Sequence, residues 1–275
     1  MKCLILGGHG MAGHVMVSYF KQKSGCQVFY TSRDSHDKNS IFLDASDMTE
    51  VKKLVSQLKP DVMINCIGIL NQQAAENPKE AILANSLLPH VLAEEADKYK
   101  GKLIHISTDC VFEGKKGDYT EEDPADGTSS YAQSKRLGEV VSDRHLTIRT
   151  SIIGPEMKEN GIGLFLWFMK QTGRIKGYER VFWNGVTTLE LAKAAESLLE
   201  QNVSGLLHLG SQQKISKHKL LLLIQEIFEK DDVEIVPDGK FVQDRTIRSI
   251  RNDFIYEVPS YRTMLVEMKE WMKAE

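Results

Sequence analysis

Short apolar runs alternate with longer amphipathic segments through the first half of the chain. The runs are continuous rather than interrupted by polar residues, which is typical of parallel strands that are covered on both faces. Repeated strand–helix units of this kind predict an α/β fold with a doubly wound parallel sheet. The predicted strands are Cys3–Leu6, Gln27–Thr31, Ser40–Leu43, Asp61–Ile67, Lys102–Ile106 and Leu146–Thr150, and the helices between them are Met11–Lys23, Thr49–Leu58, Lys79–Lys98 (bent near Pro89) and Ser130–Ser142.

The second half of the chain has a more mixed pattern. It predicts a smaller lobe packed onto the first half, because no linker separates the two. We expect residues 1–155 to form one domain, residues 156–275 to form mainly the second lobe, and a segment at about 187–210 to return to the first domain. The elements predicted here are helices near Gly163–Gln171, Leu189–Glu200, Lys217–Phe228 and Ser260–Lys273, and a strand near Leu206–Leu209.

The composition is that of an ordinary globular protein, with 41% hydrophobic and 27% charged residues. A net charge of -3 gives no overall attraction to nucleic acid or to an anionic membrane, and no stretch approaches the length of a membrane span. The four cysteines and eight histidines show no metal-ligand spacing. We therefore expect a cytoplasmic protein without metal, nucleic-acid or membrane partners, and a homodimer stays open.

A glycine-rich turn follows the first predicted strand directly. Gly7, Gly10 and Gly13 stand where this strand gives way to a helix that begins near Met11. Gly7 permits a tight turn, Gly10 lets the backbone approach a pyrophosphate, and Gly13 lets the helix pack closely on the sheet. The helix N-terminus offers free N–H groups and a partial positive charge. A glycine triad alone is a weak signal, but in this position it predicts a Rossmann-type domain that binds a nicotinamide dinucleotide.

The ends of the next three strands supply further candidates for cofactor binding. Ser32 and Arg33 follow the second strand, where sites for NAD usually carry an acidic residue. A hydroxyl beside an arginine suits a 2′-phosphate instead, so we expect NADPH and keep NADH as the alternative. Asp44, after the third strand, is a candidate for contact with the adenine. The end of the fourth strand leaves room for the ribose and phosphates through its small residues, and the candidates there are Cys66, Ile67 and Gly68.

Tyr131 and Lys135 lie four residues apart in a predicted helix and therefore share one of its faces. Reduction of a carbonyl by hydride needs a proton donor for the developing alkoxide, and a neighbouring lysine lowers the pKa of a phenol from its ordinary value of about 10. The lysine can also bind the ribose of the nicotinamide. Ser107 and Thr108 follow the fifth strand, where a hydroxyl can reach a substrate carbonyl at the ligand crevice. The pattern therefore predicts a carbonyl reductase.

Together these residues resemble the extended short-chain dehydrogenase/reductase family, and within it the dTDP-4-dehydrorhamnose reductases and related nucleotide-sugar 4-ketoreductases. The glycine turn and the runs at 107–114 and 131–139 carry the resemblance, which covers about residues 1–155. It implies that Thr108, Tyr131 and Lys135 are the catalytic residues, with Ser107 as a substitute hydroxyl. The residues that it implies for substrate binding are Ser107, Val111, Phe112, Trp183, Asn184 and Arg245, the last of them near the phosphates.

The resemblance implies NADPH-dependent reduction of a nucleotide-linked 4-keto-6-deoxy sugar for a surface polysaccharide, as in dTDP-rhamnose biosynthesis. Cys110 and the region of Trp183 depart from the rhamnose enzymes, so the sugar and the base of the nucleotide stay open. The glutamate that 4,6-dehydratases carry after Asp109 is missing, which speaks against dehydration. Three alternatives remain: a reductase of a UDP-4-keto-6-deoxy-N-acetylhexosamine, a nucleotide-sugar epimerase, and a non-catalytic regulatory subunit.

Overall fold

Twelve strands and ten helices form the protein, whose computed structural model describes residues 1–275. The strands are β1 (Lys2–Leu6), β2 (Gln27–Ser32), β3 (Ile41–Phe42), β4 (Val62–Asn65), β5 (Lys102–Thr108), β6 (Leu146–Thr150), β7 (Ile152–Ile153), β8 (Gly173–Trp183), β9 (Val186–Thr187), β10 (Gly205–His208), β11 (Ile215–Ser216) and β12 (Val233–Asp244). The helices are α1 (Met11–Lys21), α2 (Met48–Leu58), α3 (Asn71–Glu76), α4 (Pro78–Ala81), α5 (Leu88–Lys98), α6 (Ser130–Leu137), α7 (Leu164–Met169), α8 (Thr188–Glu200), α9 (Lys217–Phe228) and α10 (Tyr261–Ala274).

A seven-stranded parallel sheet lies at the centre, in the order β10-β6-β5-β4-β1-β2-β3. Successive side chains of a strand point to opposite faces, so each apolar run contributes side chains to two hydrophobic cores. In β1, Cys3 and Ile5 join a core on the side of α1 and α8, whereas Leu4 and Leu6 join a second core on the side of α2 and α5. Burial on both faces explains the continuous apolar runs and confirms the predicted fold class.

The chain returns to this sheet after leaving it. Following β6 it passes through β7, α7, β8 and β9, and α8 then packs against α1. Strand β10 pairs in parallel with β6, with Gly205 opposite Leu146. Strands β6 and β10 are therefore neighbours in the sheet although β7, α7, β8, β9 and α8 separate them in sequence.

The second lobe contains a three-stranded sheet, β11-β8-β12, that the sequence pattern did not predict. Strands β8 and β12 run parallel and bury only some of their residues, and their register shifts between Asp238 and Val242. One face of this sheet is open to solvent, so β8 and β12 carry many charged residues. In sequence they therefore look like surface loops. A core of its own, which includes Phe168, Trp183 and Ile224, joins the sheet to α7, α9 and α10.

The long helix predicted at Lys79–Lys98 is in fact α4, a π-helical segment at Ile82–Leu87 and α5. Pro89 has no N–H to donate to the carbonyl of Asn85 one turn earlier, which favours such an irregularity. Helix α6 comes very close here, since a Cβ added at Gly138 would lie 1.8 Å from the Asn85 carbonyl oxygen. Gly138 also ends α6, so its predicted extension to Ser142 is wrong.

All four cysteines are free thiols in the structure, with Cys3 buried and the other three partly buried. None of the helices combines the length and the apolar character that crossing a bilayer requires.

Candidate active site

The glycine turn lies between β1 and α1. Gly7 has a φ of +81°, which side-chain-bearing residues rarely adopt, and its carbonyl accepts a hydrogen bond of 2.9 Å from the Gly10 N–H. A Cβ at Gly13 would lie 2.0 Å from the Gly7 carbonyl oxygen, so only glycine fits there. Met11 begins α1 directly after the turn. The loop therefore has the close packing and the open helix N-terminus that a pyrophosphate needs.

A cavity of about 580 Å³ opens in front of this loop. Asp44 borders it, and the pKa of its carboxyl is lowered by hydrogen bonds from the Ser46 N–H and hydroxyl and further by the charge of Arg33. A larger cavity, of about 810 Å³, lies between α1 and α10. Neither cavity is lined by Thr108, Tyr131 or Lys135. The smaller cavity gathers nearly all the predicted cofactor residues of the first four strands: Gly7, Gly10, Ser32, Arg33, Asp44, Cys66, Ile67 and Gly68.

The predicted reactive residues come from β5 and α6. Ser129 caps α6 by accepting a hydrogen bond of 3.1 Å from the Ala132 N–H, and this fixes the start of the helix that carries Tyr131 and Lys135. Thr108 ends β5, and its hydroxyl oxygen accepts a hydrogen bond of 3.1 Å from the Cys110 N–H. The Thr108 hydroxyl also lies close enough to Tyr131 to influence the pKa of its phenol.

The charge environment of Tyr131 differs from the one expected. Burial raises the pKa of its phenol above the ordinary value, Cys110 and Asp109 raise it further, and the Thr108 hydroxyl opposes them in part. Lys135 donates a hydrogen bond of 2.7 Å to the Ile106 carbonyl and does not bond to the phenol. The lowering of the Tyr131 pKa by Lys135 is therefore not present in this arrangement of the side chains.

Ser107 faces the interior instead of the crevice, which corrects the expectation that it binds substrate. Its hydroxyl donates a hydrogen bond of 2.8 Å to Glu139, whose carboxylate also accepts two bonds of 2.7 Å from Arg149. The side chains of Glu139 and Arg149 are only 6% and 5% exposed. Alternation along β5 explains the difference, because adjacent residues of a strand face opposite ways and Thr108 takes the crevice side.

Four other residues predicted to bind substrate are buried in packing roles. Phe112 is fully buried and stacks on Tyr119 with ring centroids 4.2 Å apart. The side-chain amide of Asn184 donates hydrogen bonds to the Ser211 and Ile247 carbonyls and accepts one from the Ile247 N–H. These contacts leave no free polar group or open surface for a sugar. The residues corrected in this way are Val111, Phe112, Trp183 and Asn184.

Arg245 does reach the site, and a residue that the sequence analysis missed accompanies it. Arg245 donates a hydrogen bond of 3.0 Å from Nε to the Phe112 carbonyl. Lys217, the first residue of α9, carries its ammonium group 5.5 Å from the Trp183 ring. Burial raises the pKa of Asp109, and the charges of Arg245 and Lys217 oppose that rise. Two cations thus approach the reactive residues without a salt bridge to hold them.

Comparison with known proteins connects this geometry to a family. A model of the family described as RmlD substrate binding domain matches residues 1–267. A probable low-salt glycan biosynthesis reductase of Haloferax volcanii, Agl14, is 26% identical over 229 residues, which cover 78% of this chain and 76% of that protein.

Two further comparisons bear on function. The methionine adenosyltransferase 2 subunit beta of Danio rerio is 24% identical over 256 residues, which cover 86% of this chain and 76% of that protein. The crystal structure of a dTDP-4-dehydrorhamnose reductase from Bacillus anthracis in complex with NADP has a TM-score of 0.80 and 16% identity, and the match covers 98% of this chain and 99% of that one. At that identity the last comparison shows the shared fold.

Proposed function

This chain belongs to the RmlD substrate binding domain family, and we propose that it is an NADPH-dependent reductase of a nucleotide-linked 4-keto-6-deoxy sugar. Support comes from a single observation: the Thr108 hydroxyl at the carboxyl end of β5 contacts the Tyr131 phenol of α6, at the same edge of the parallel sheet from which the glycine loop leaves β1. The Bacillus anthracis enzyme of the same fold is a dTDP-4-dehydrorhamnose reductase in complex with NADP. Surface polysaccharide synthesis is the expected setting, as for the Haloferax volcanii relative in glycan synthesis.

When bound, the dinucleotide supplies the hydride that reduces the sugar carbonyl. Tyr131 donates the phenolic proton to the carbonyl oxygen as that oxygen gains negative charge. Thr108 orients the same oxygen through its hydroxyl. Lys135 supplies the positive charge that stabilises the phenolate left behind. The glycine loop and Arg33 hold the phosphates of the dinucleotide.

The direct test is oxidation of NADPH with a panel of dTDP- and UDP-linked 4-keto-6-deoxy sugars, with and without an N-acetyl group. We expect oxidation with at least one member, and the best member identifies the base and the sugar. An epimerase would convert a nucleotide sugar without net consumption of NADPH. Absence of both reactions across the panel would contradict the proposal.

A regulatory subunit is the second candidate, and similarity to the methionine adenosyltransferase 2 subunit beta favours it. A protein of that kind needs no reactive phenol beside its dinucleotide, whereas this chain keeps both Tyr131 and Lys135. Dinucleotide binding without turnover on any panel member would support this second function. Turnover would decide for the reductase.

Arg33 provides a test of cofactor choice. Its exposed guanidinium at the end of β2 suits a 2′-phosphate, so Arg33→Asp should raise the KM for NADPH about 10- to 100-fold, the loss of one charged contact. The KM for NADH should change little. Lys38→Asp, an equal charge change in the same exposed loop, is the control. Equal effects on the two cofactors would remove the argument for the 2′-phosphate.

Lys217 provides a test of substrate binding. Its ammonium group lacks a salt-bridge partner in the structure, so we propose that it binds an anionic or hydroxyl group of the nucleotide sugar. Lys217→Met should raise the KM for that substrate about tenfold or more and leave the KM for NADPH unchanged. Lys219→Met, at an exposed position of the same helix, is the matched control. An unaltered substrate KM in the Lys217 variant would assign this lysine to packing.

A further inference from the structure

A chain of hydrogen bonds links Asn65, His105 and Lys135 inside the protein. Asn65 ends β4 and lies opposite His105 of β5 in the register of the sheet, and Lys135 reaches β5 from α6. Asn65 Nδ2 lies 3.1 Å from His105 Nδ1, and His105 Nε2 lies 3.3 Å from Lys135 Nζ. Asn65 and His105 have no exposed surface, and Lys135 is 3% exposed. The three side chains therefore find their hydrogen-bond partners within the protein.

The backbone fixes which way the Asn65 amide points. The N–H of Ile67 donates a hydrogen bond of 3.1 Å to Asn65 Oδ1, and a backbone N–H can only donate. The amide nitrogen Nδ2 therefore faces His105 Nδ1, and it too can only donate. His105 Nδ1 must accept. A neutral imidazole that accepts at Nδ1 carries its hydrogen at Nε2.

That hydrogen points at Lys135. An ammonium group has three donors and no lone pair, so it cannot accept the His105 Nε2–H, whereas a neutral amine can. The amine still donates its own hydrogen bond of 2.7 Å to the Ile106 carbonyl. Every donor in the chain then meets an acceptor. A charged Lys135 would leave two donors facing each other at 3.3 Å in a buried place.

The surrounding charges agree with this assignment. Burial lowers the pKa of Lys135 to about 8, against opposing contributions from Glu139, just past the end of α6, and Cys66 after β4. Burial lowers the pKa of His105 well below its ordinary value, and Lys135 and His90 of α5 lower it further. The imidazole is therefore neutral.

We propose that His105 is a positioning residue that holds Lys135 as a neutral amine, and that binding of the dinucleotide makes Lys135 take up a proton from solvent. The amine lone pair, freed from the His105 N–H when Lys135 turns to the ribose, receives that proton. The charge that stabilises the Tyr131 phenolate then arises together with cofactor binding. This second step rests on the proposed function, whereas the tautomer of His105 does not.

The tautomer can be measured on the protein purified free of dinucleotide. Long-range proton–nitrogen NMR spectra of ¹⁵N-labelled protein distinguish an imidazole with its hydrogen at Nε2 from one with it at Nδ1. The signal that disappears in the His105→Gln variant identifies His105. We expect the Nε2–H form at about pH 9, above the lowered pKa of Lys135, where the amine is mostly neutral. The Nδ1–H form, or a doubly protonated ring, would overturn the assignment.

Proton uptake can be counted by calorimetric titration with NADP⁺ in buffers of different ionisation enthalpy. At about pH 9 the phosphates of the dinucleotide are fully ionised, so they contribute no protons. We expect uptake approaching one proton per site in the Tyr131→Phe variant, which has no phenol that could release a proton on binding, because this pH lies between the lowered pKa of Lys135, about 8, and the ordinary value of 10.5. Bound NADP⁺ without any uptake would overturn the second step.

Two variants separate this device from a structural role. In Asn65→Asp the carboxylate accepts from both Ile67 and His105 Nδ1, so Nε2 becomes an acceptor and Lys135 is held as ammonium. His105→Gln offers its amide oxygen to Lys135 with the same effect. When each change is combined with Tyr131→Phe, uptake should fall to below about 0.3 proton in both variants and stay unchanged in Asn252→Asp, at an exposed position. Undiminished uptake in both variants would overturn the role of His105.

The two failures are distinguishable. If NADP⁺ does not bind at all, the proposed function and the proton uptake are both overturned. The NMR measurement still decides the tautomer of His105 in that case.

Discussion

The Tyr131→Phe variant is expected to lose about two to four orders of magnitude in kcat, because only the phenolic hydroxyl can deliver a proton to the developing alkoxide. The ring itself stays, and the buried site at the start of α6 is filled as before. Affinity for NADPH should therefore remain within about a factor of three, since no charged contact is lost. Turnover is measured by NADPH oxidation with the best sugar of the panel, and affinity by titration of cofactor fluorescence.

Tyr178→Phe is the matched control, because Tyr178 lies in β8 and is 41% exposed. It should leave both kcat and NADPH affinity at their natural values. Natural turnover in Tyr131→Phe would remove the phenol from the chemistry, and the site would then have to be sought around another acid. A parallel loss of NADPH binding would indicate collapse of α6 instead of loss of a proton donor.

The Arg149→Met variant is expected to lose about 3–5 kcal/mol of unfolding free energy, because the buried Glu139 carboxylate is left without its charged partner. Glu139 would keep only the hydroxyl of Ser107 as a side-chain donor in place of three bonds. His208 loses a partner too, since its Nε2 lies 3.2 Å from Arg149 Nη1. Urea unfolding followed by tryptophan fluorescence measures the change.

Replacing both members of the pair by methionine supplies the comparison. The double variant Glu139→Met, Arg149→Met should be more stable than Arg149→Met alone, because no buried charge is left without a partner. A single variant as stable as the natural protein would show that water reaches Glu139. The pair would then have little part in holding the segment after α6 against β6.

The central sheet could be predicted because its pattern is local. Burial on both faces leaves a plain signature, as in Cys3–Leu6, and a glycine turn marks the change from strand to helix. Strands β8 and β12 could not be found in this way. They are exposed on one face and carry many charges, so only their pairing with each other identifies them as strands.

The same division applies to the site. Gly13 and the Tyr131–Lys135 spacing depend on residues that are neighbours in sequence, so they could be identified there. His105 and Lys217 could not, because their partners come from other elements, Lys135 of α6 in one case and Trp183 of β8 in the other. Phe112 and Asn184 were wrongly predicted to contact the substrate for a related reason. Their positions near reactive segments of the sequence do not determine which way their side chains point, and both point into the protein.

The path of the chain after β6 has a consequence for how the molecule comes apart. Strand β10 docks beside β6 only after the backbone has built much of the other lobe. Cleavage near residue 155 would therefore leave β6 without its neighbouring strand β10 and α1 without its contacts to α8. We expect neither fragment to fold on its own. Cofactor half and substrate half are accordingly expected to melt in one cooperative transition, and a ligand of either half protects both from proteases.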